Sequence, residues 1–89
     1  MKKKRLRWFI YIVEASDGTF YTGIARDVTK RLQTHDSGKG SRYLRGRGPY
    51  TLVHREVRFG LSSALKREVQ IKNLTRTQKE ELIHASNKP

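Results

Sequence analysis

From Trp8 to Val13 every residue is apolar or aromatic, with Phe9, Tyr11 and Val13 alternating against Trp8, Ile10 and Ile12. A run that is apolar on both sides of a period-two pleat predicts a central strand covered on both faces. Ser16-Asp17-Gly18 is a turn signal, and Thr19 to Ile24 (TFYTGI) is a second β-rich run, so the two runs form a hairpin. Its loop length matters, because a slip of one residue moves a side chain to the opposite face. A two-residue Asp17-Gly18 loop would put Tyr11 and Tyr21 on opposite faces. A three-residue Ser16-Asp17-Gly18 loop, with Gly18 left-handed, would pair Ala15 with Thr19, Val13 with Tyr21 and Tyr11 with Gly23, so that both tyrosines share a face.

Asp27 is expected to cap a helix running to about Asp36, with Val28 and Leu32 on its buried stripe. Arg31 and His35, four residues apart, project from one side of that helix and can reach a common ligand. The segment from Ser37 to Pro49 (SGKGSRYLRGRGP) holds four glycines, four basic residues and one tyrosine, which predicts a loop that contacts phosphates. Thr51 to Phe59 alternates partially through Val53, Val57 and Phe59 and reads as a third strand. Ser62 or Ser63 is expected to cap a second helix to about Asn73, with Leu61, Leu65 and Val69 as its apolar stripe and Glu68 next to it. Thr75 followed by Gln78 has the spacing of a capping box for a third helix, whose inner line is Leu74, Gln78 and Leu82, flanked by Ile83. The order is β-β-α-β-α-α. It fits a single domain over residues 8–85, with a flexible basic segment at 1–7 and a flexible end at 86–89.

The chain has 89 residues, 35% of them hydrophobic and 31% charged, enough for one modest core. That excludes a two-domain enzyme with a cleft between lobes. Lys and Arg number 20 against 8 Asp and Glu, a net charge of +12, and a positive field of that size on so small a body attracts a polyanion such as nucleic acid. A ribosome-like or membrane-surface role is the competing use of such charge. The absence of cysteine excludes disulfides and thiolate metal sites and makes the reduced cytoplasm the expected location. The basic head Lys2 to Arg7 and the apolar run after it imitate a signal peptide, but Glu14 ends the run early. No stretch approaches the ~20 apolar residues that span a bilayer, so no membrane partner is expected.

Several motifs fail on inspection. Gly38-Lys39-Gly40-Ser41 lacks the spacing of a phosphate-binding P-loop, and Gly46-Arg47-Gly48 is no dinucleotide fingerprint. His35, His54 and His84 lack the carboxylate or cysteine spacing of a zinc site, and a serine–histidine–acid triad cannot be argued from residues so scattered. Taken singly, the remaining candidates have plain structural readings: Tyr11 and Tyr21 as strand aromatics, Arg31 paired with Asp27, His35 at the helix dipole, and Glu68 paired with Lys72.

Together they are more specific. Phe9-Ile10-Tyr11, ten residues before Tyr21-Thr22-Gly23, resembles the two signature tripeptides of the GIY-YIG nuclease superfamily, followed at the right spacing by a helix carrying Arg31 and His35. The likeness is greatest to the small single-domain bacterial proteins of that superfamily, around Asp36 to Gly40 and Arg45 to Pro49, and extends from about Trp8 to His84. It implies an α+β fold, a three-stranded antiparallel sheet flanked by helices, in agreement with the order above, and it favours the three-residue hairpin loop. It implies metal-dependent phosphodiester hydrolysis of DNA, an endonuclease-type reaction. Tyr11 and Tyr21 would flank the scissile phosphate, one acting as general base or orienting the water. Arg31 would hold the phosphate, Glu68 would bind one Mg²⁺ or Mn²⁺, and His35 stands where relatives carry His or Tyr. An adjacent Arg and the metal would have to favour the phenolate, because an unperturbed tyrosine is a poor base.

Phe9 and Thr22 depart from the signature, and Ile24 stands where some relatives have Lys. With no separate DNA-binding domain, substrate contact falls to Lys39, Arg42, Tyr43, Arg45 and Arg47, which suit phosphates and base stacking rather than base-edge readout. Little sequence preference is therefore expected, with DNA favoured over RNA, branched, damaged or single-stranded forms in view, a monomeric state and no small-molecule cofactor. The competing reading is a catalytically weak nucleic-acid-binding module using the same basic face.

Overall fold

The hairpin and a strand that joins it later build one sheet. A computed structural model describes residues 6–36 and 48–86. Its elements are β1 (Arg7–Glu14), β2 (Phe20–Ala25), α1 (Val28–Asp36), β3 (Thr51–Phe59), α2 (Leu61–Lys72) and α3 (Arg76–Ser86). β1 lies in the middle of the sheet, antiparallel to β2 on one side and β3 on the other. The fold is the expected α+β arrangement in the expected order.

The three-residue loop is the one adopted. Gly18 has φ 84° and its N–H donates to the Ala15 carbonyl at 2.9 Å, while the Ala15 N–H donates to the Thr19 carbonyl, also at 2.9 Å. A positive φ of that kind strains any residue with a Cβ, which is why glycine closes the loop. Tyr11 thereby pairs with Gly23 and Val13 with Tyr21.

Both faces of β1 are covered, as an uninterrupted apolar strand requires. Tyr11 and Val13 pack with Ala25 and Val28 beneath α1, joined by Phe9, Tyr21, Leu32 and Tyr50. Ile10 and Ile12 pack on the other side with Ala64 and Ile71 of α2, joined by Leu82 and Ile83 of α3. Burying an aliphatic side chain of this size contributes about 1.5–3 kcal/mol, so the double cover of β1 is the main source of stability. β3 is less regular, with a bulge opposite Ile12 and Val13 that leaves Val53 packed on the α2 side.

Two expectations for α2 are corrected. Its N-cap is Gly60, with φ 91° and no side-chain capping bond, rather than Ser62 or Ser63. The stripe Leu61, Leu65 and Val69 is exposed, and Ala64 and Ile71 face the sheet instead. Small Ala64 lets the helix lie close over β1, and the same rotation turns Arg67 toward β3 and carries Glu68 inward with Ala64 and Ile71.

The capping box of α3 forms as its spacing predicts: the Gln78 N–H donates to Thr75 Oγ1 at 3.1 Å and the Thr75 N–H to Gln78 Oε1 at 2.9 Å. Gln78 is thus exposed at the cap, not on the inner line. Thr75→Ala is expected to destabilise the domain by about 1 kcal/mol, read as a lower urea midpoint at unchanged slope. Arg76 then ties α3 to the hairpin, donating to the Gly18 carbonyl at 2.9 Å with its guanidinium 4.2 Å from the Phe20 ring centroid.

A polar cluster staples the helices to β3. The Glu56 carboxylate meets Arg67 Nε at 2.7 Å, Arg58 Nη2 at 3.0 Å and His54 Nε2 at 2.6 Å, and His54 Nδ1 meets Ser86 Oγ at 2.5 Å. Ser86, His54 and an acid are therefore brought together after all, from α3 and β3. The carboxylate is saturated by arginines, so the arrangement works as a structural link. The hydrogen bond from Arg67, helped by His54 and opposed by burial, lowers the Glu56 pKa to about 2 from an ordinary 4.5. A carboxylate depressed on folding stabilises the fold above its unfolded pKa and loses that contribution as pH falls. Stability is expected to fall between about pH 4.5 and pH 2, and Glu56→Gln should flatten that part of the curve in denaturant titrations at successive pH values.

Candidate active site

The hairpin register sets the centre of the candidate site. Tyr11 is 1% exposed, and its ring lies directly over Gly23. A Cβ at Gly23 would stand 2.6 Å from the Tyr11 Oη and 2.7 Å from its Cζ, so only glycine leaves room for the phenol to cross β2. Tyr21 is half-buried on the same face against the same cluster. Asp27 caps α1 by accepting from the Lys30 N–H at 3.0 Å, which fixes the first turn and the exposed Arg31 after it. From the other side of the sheet, α2 supplies Glu68, whose side chain is 15% exposed and whose Oε2 lies 3.4 Å from the Lys72 ammonium.

These four groups meet in the ionisation of Tyr11. Burial pushes its pKa up to about 12; Tyr21 and Glu68 raise it, and Arg31 opposes them. The arginine's pull is thus outweighed, and Tyr11 is a neutral phenol at physiological pH. Within the protein alone desolvation outweighs the arginine, so any help toward the phenolate of Tyr11 would have to come from the metal as well.

Two further candidates are only partly described. His35 lies on α1 one turn beyond Arg31, and its side chain is outside the described residues. Lys39, Arg42, Tyr43, Arg45 and Arg47 also lie outside them. For a divalent ion, the described residues contain no group of three His, Asp or Glu side chains. A single inward carboxylate such as Glu68 still fits a hard cation that keeps most of its waters and takes further oxygens from a phosphate.

A cavity of about 510 Å³ opens beside Arg31, lined also by Trp8, Ala25, Arg26, Asp27, Lys30 and Thr34. The sequence reading assigned no role to Arg26 or Lys30. The signal available for Lys30 is its spacing from Thr34, one turn apart on α1; Arg26 lies before the helix and carries no such signal.

Residues 7–81 match the model of the GIY-YIG catalytic domain, a domain that implies nuclease-type activity in general. The chain belongs to the GIY-YIG family. It is 48% identical over 85 residues to a UPF0213 protein of Desulfotalea psychrophila, covering 94% of this chain and 77% of that one. A UPF0213 protein of Halobacterium salinarum is 49% identical over 74 residues, covering 83% of this chain and 96% of the relative. The solution NMR structure of the UPF0213 protein BH0048 from Bacillus halodurans is similar at a TM-score of 0.61 and 40% identity, over 93% of this chain and 88% of that one. No helix among the described residues is long and apolar enough to cross a membrane.

Proposed function

We propose that the protein hydrolyses phosphodiester bonds in DNA with one Mg²⁺ or Mn²⁺ ion, as a monomer in the cytoplasm, with little sequence preference and with branched, damaged or single-stranded repair substrates in view. The observation that carries this reading is the convergence of Tyr21, Arg31 and Glu68 on the buried phenol of Tyr11. In hydrolysis, water attacks phosphorus, the bond to one ester oxygen breaks, and that oxygen takes up a proton. Arg31 holds the phosphate oxygens with its planar fork and offsets the charge that grows on them. Tyr11, protonated, donates a hydrogen bond to the phosphate or the water rather than removing a proton. Tyr21 orients the water, and His35 follows Arg31 by one turn on α1. Glu68 would hold the cation, which supplies charge neutralisation when bound.

Lys39, Arg42, Tyr43, Arg45 and Arg47 would grip the flanking backbone. Replacing Arg45 and Arg47 with alanine is expected to weaken DNA binding alike across sequences and to reduce its salt slope by about one per lost phosphate contact. An unchanged slope in salt titrations would remove them from the interface. The Glu68–Lys72 ion pair favours a second reading, a nucleic-acid-binding module of weak catalysis. Cleavage of labelled linear, nicked, branched and single-stranded DNA with Mg²⁺, Mn²⁺ or a chelator decides between them. Metal-dependent products support hydrolysis, and binding without products on every substrate favours the module.

A further inference from the structure

We infer that the cavity between Trp8 and α1 is a subsite for an unpaired nucleotide next to the scissile phosphate, so that the substrate is a strand whose base can leave its partner. This rests on the hydrolytic reading for its neighbour, Arg31, but not for its own chemistry. The cavity, about 510 Å³, is of the size that takes a small ligand such as one nucleotide. One wall is the indole of Trp8, which is half-buried and therefore fixed. The guanidinium of Arg26 lies 5.6 Å from the indole centroid, so this ring already stacks against a flat cationic group. Arg26 is exposed and can yield the ring to a base and turn to a phosphate.

The opposite wall carries Lys30 and Arg31 on consecutive positions of α1. The one acid in the lining, Asp27, is outnumbered by Arg26, Lys30 and Arg31, so the cavity is net positive. An aromatic plane facing several cations is the combination that binds single strands: the ring takes a base of any identity, and the cations take the phosphates on either side. Trp8 packs at the edge of the α2-side cluster and the tyrosines lie in the α1-side cluster, but Arg31 belongs both to this lining and to the groups acting on Tyr11, so a nucleotide stacked on Trp8 shares its phosphate-binding arginine with the tyrosines. A paired base cannot do this without leaving its stack.

Trp8 is the only tryptophan, so its fluorescence reports the subsite directly. The experiment titrates the full chain, in chelator, with a short oligothymidylate and with a blunt duplex at matched salt. Stacking predicts saturable quenching by the single strand and binding of the duplex, followed by anisotropy, with little quenching. Lys30→Ala, on an exposed helix position, and Trp8→Leu are each expected to weaken single-strand binding roughly tenfold and duplex binding much less. Trp8→Phe, which keeps a ring in the core, should retain most of the affinity. Absence of quenching by the single strand, or equal losses on both probes, overturns the subsite. Quenching without cleavage on any substrate overturns the hydrolytic reading and leaves the subsite standing, whereas metal-dependent cleavage without quenching does the reverse.

Discussion

Gly23→Ala is expected to lower kcat/KM for DNA cleavage by about a hundredfold, on the scale of a reacting group displaced by an ångström. The added methyl would stand 2.6 Å from the Tyr11 hydroxyl, and the phenol has nowhere to go, since its ring is packed among Val13, Ala25 and Val28. Overpacking of this kind also destabilises, by about 1–3 kcal/mol in urea unfolding, so the two effects must be separated. Ultraviolet titration of the tyrosines does so. One of the four should ionise late in the wild type, near about pH 12, and move toward the ordinary value when the phenol is pushed out of its site. Cleavage at the wild-type rate with a shifted titration would show that the position of Tyr11 does not matter to the reaction.

Glu68→Ala should have the larger effect on turnover, a loss of about three orders of magnitude, because removing the carboxylate that would hold the cation removes several kcal/mol of cation-dependent stabilisation. DNA binding should be retained or strengthened, since one negative charge leaves a positive field. Glu68 also raises the Tyr11 pKa, so its removal should bring the late tyrosine ionisation down. That titration tests the proximity of the two groups without reference to activity. Wild-type turnover in the mutant, measured on the same labelled DNA, would take Glu68 out of the reaction.

Much of this arrangement was legible in the residues, for physical reasons that differ from one element to the next. β1 was readable because a strand buried on both faces has no polar positions to confuse its period. The hairpin register followed from Gly18 once the loop length was chosen, and α3 announced itself through the reciprocal hydrogen bonds available to Thr75 and Gln78. α2 misled because Leu61, Leu65 and Val69 form a better apolar stripe in sequence than the one the helix uses. What turns α2 is tertiary: the tight seat of Ala64 and the pull of Glu56 on Arg67, neither visible within the helix itself. The same rotation gave Glu68 its largely buried position, which the apolar stripe read from the sequence would not have placed. The His54–Glu56 pair sits two apart on one strand face and could have been anticipated, whereas Ser86 is 32 residues away from His54 and could not. The raised pKa of Tyr11 was not legible in the residues, because desolvation depends on burial, which spacing does not report.

The middle place of β1 has a consequence for biosynthesis. Its pairing with β2 is local and can close as soon as Ala25 has left the ribosome, but its other edge waits for β3. At about 5–20 residues per second, the nascent hairpin would spend roughly two to seven seconds with that edge open before Phe59 is made. During that interval the Ile10 and Ile12 side lacks both its third strand and α2, an unpaired apolar margin of the kind that recruits other chains. The chain carries Lys2, Lys3, Lys4 and Arg5 ahead of this strand and Arg7 as its first residue, and like charges flanking an apolar strand oppose its pairing with a second copy.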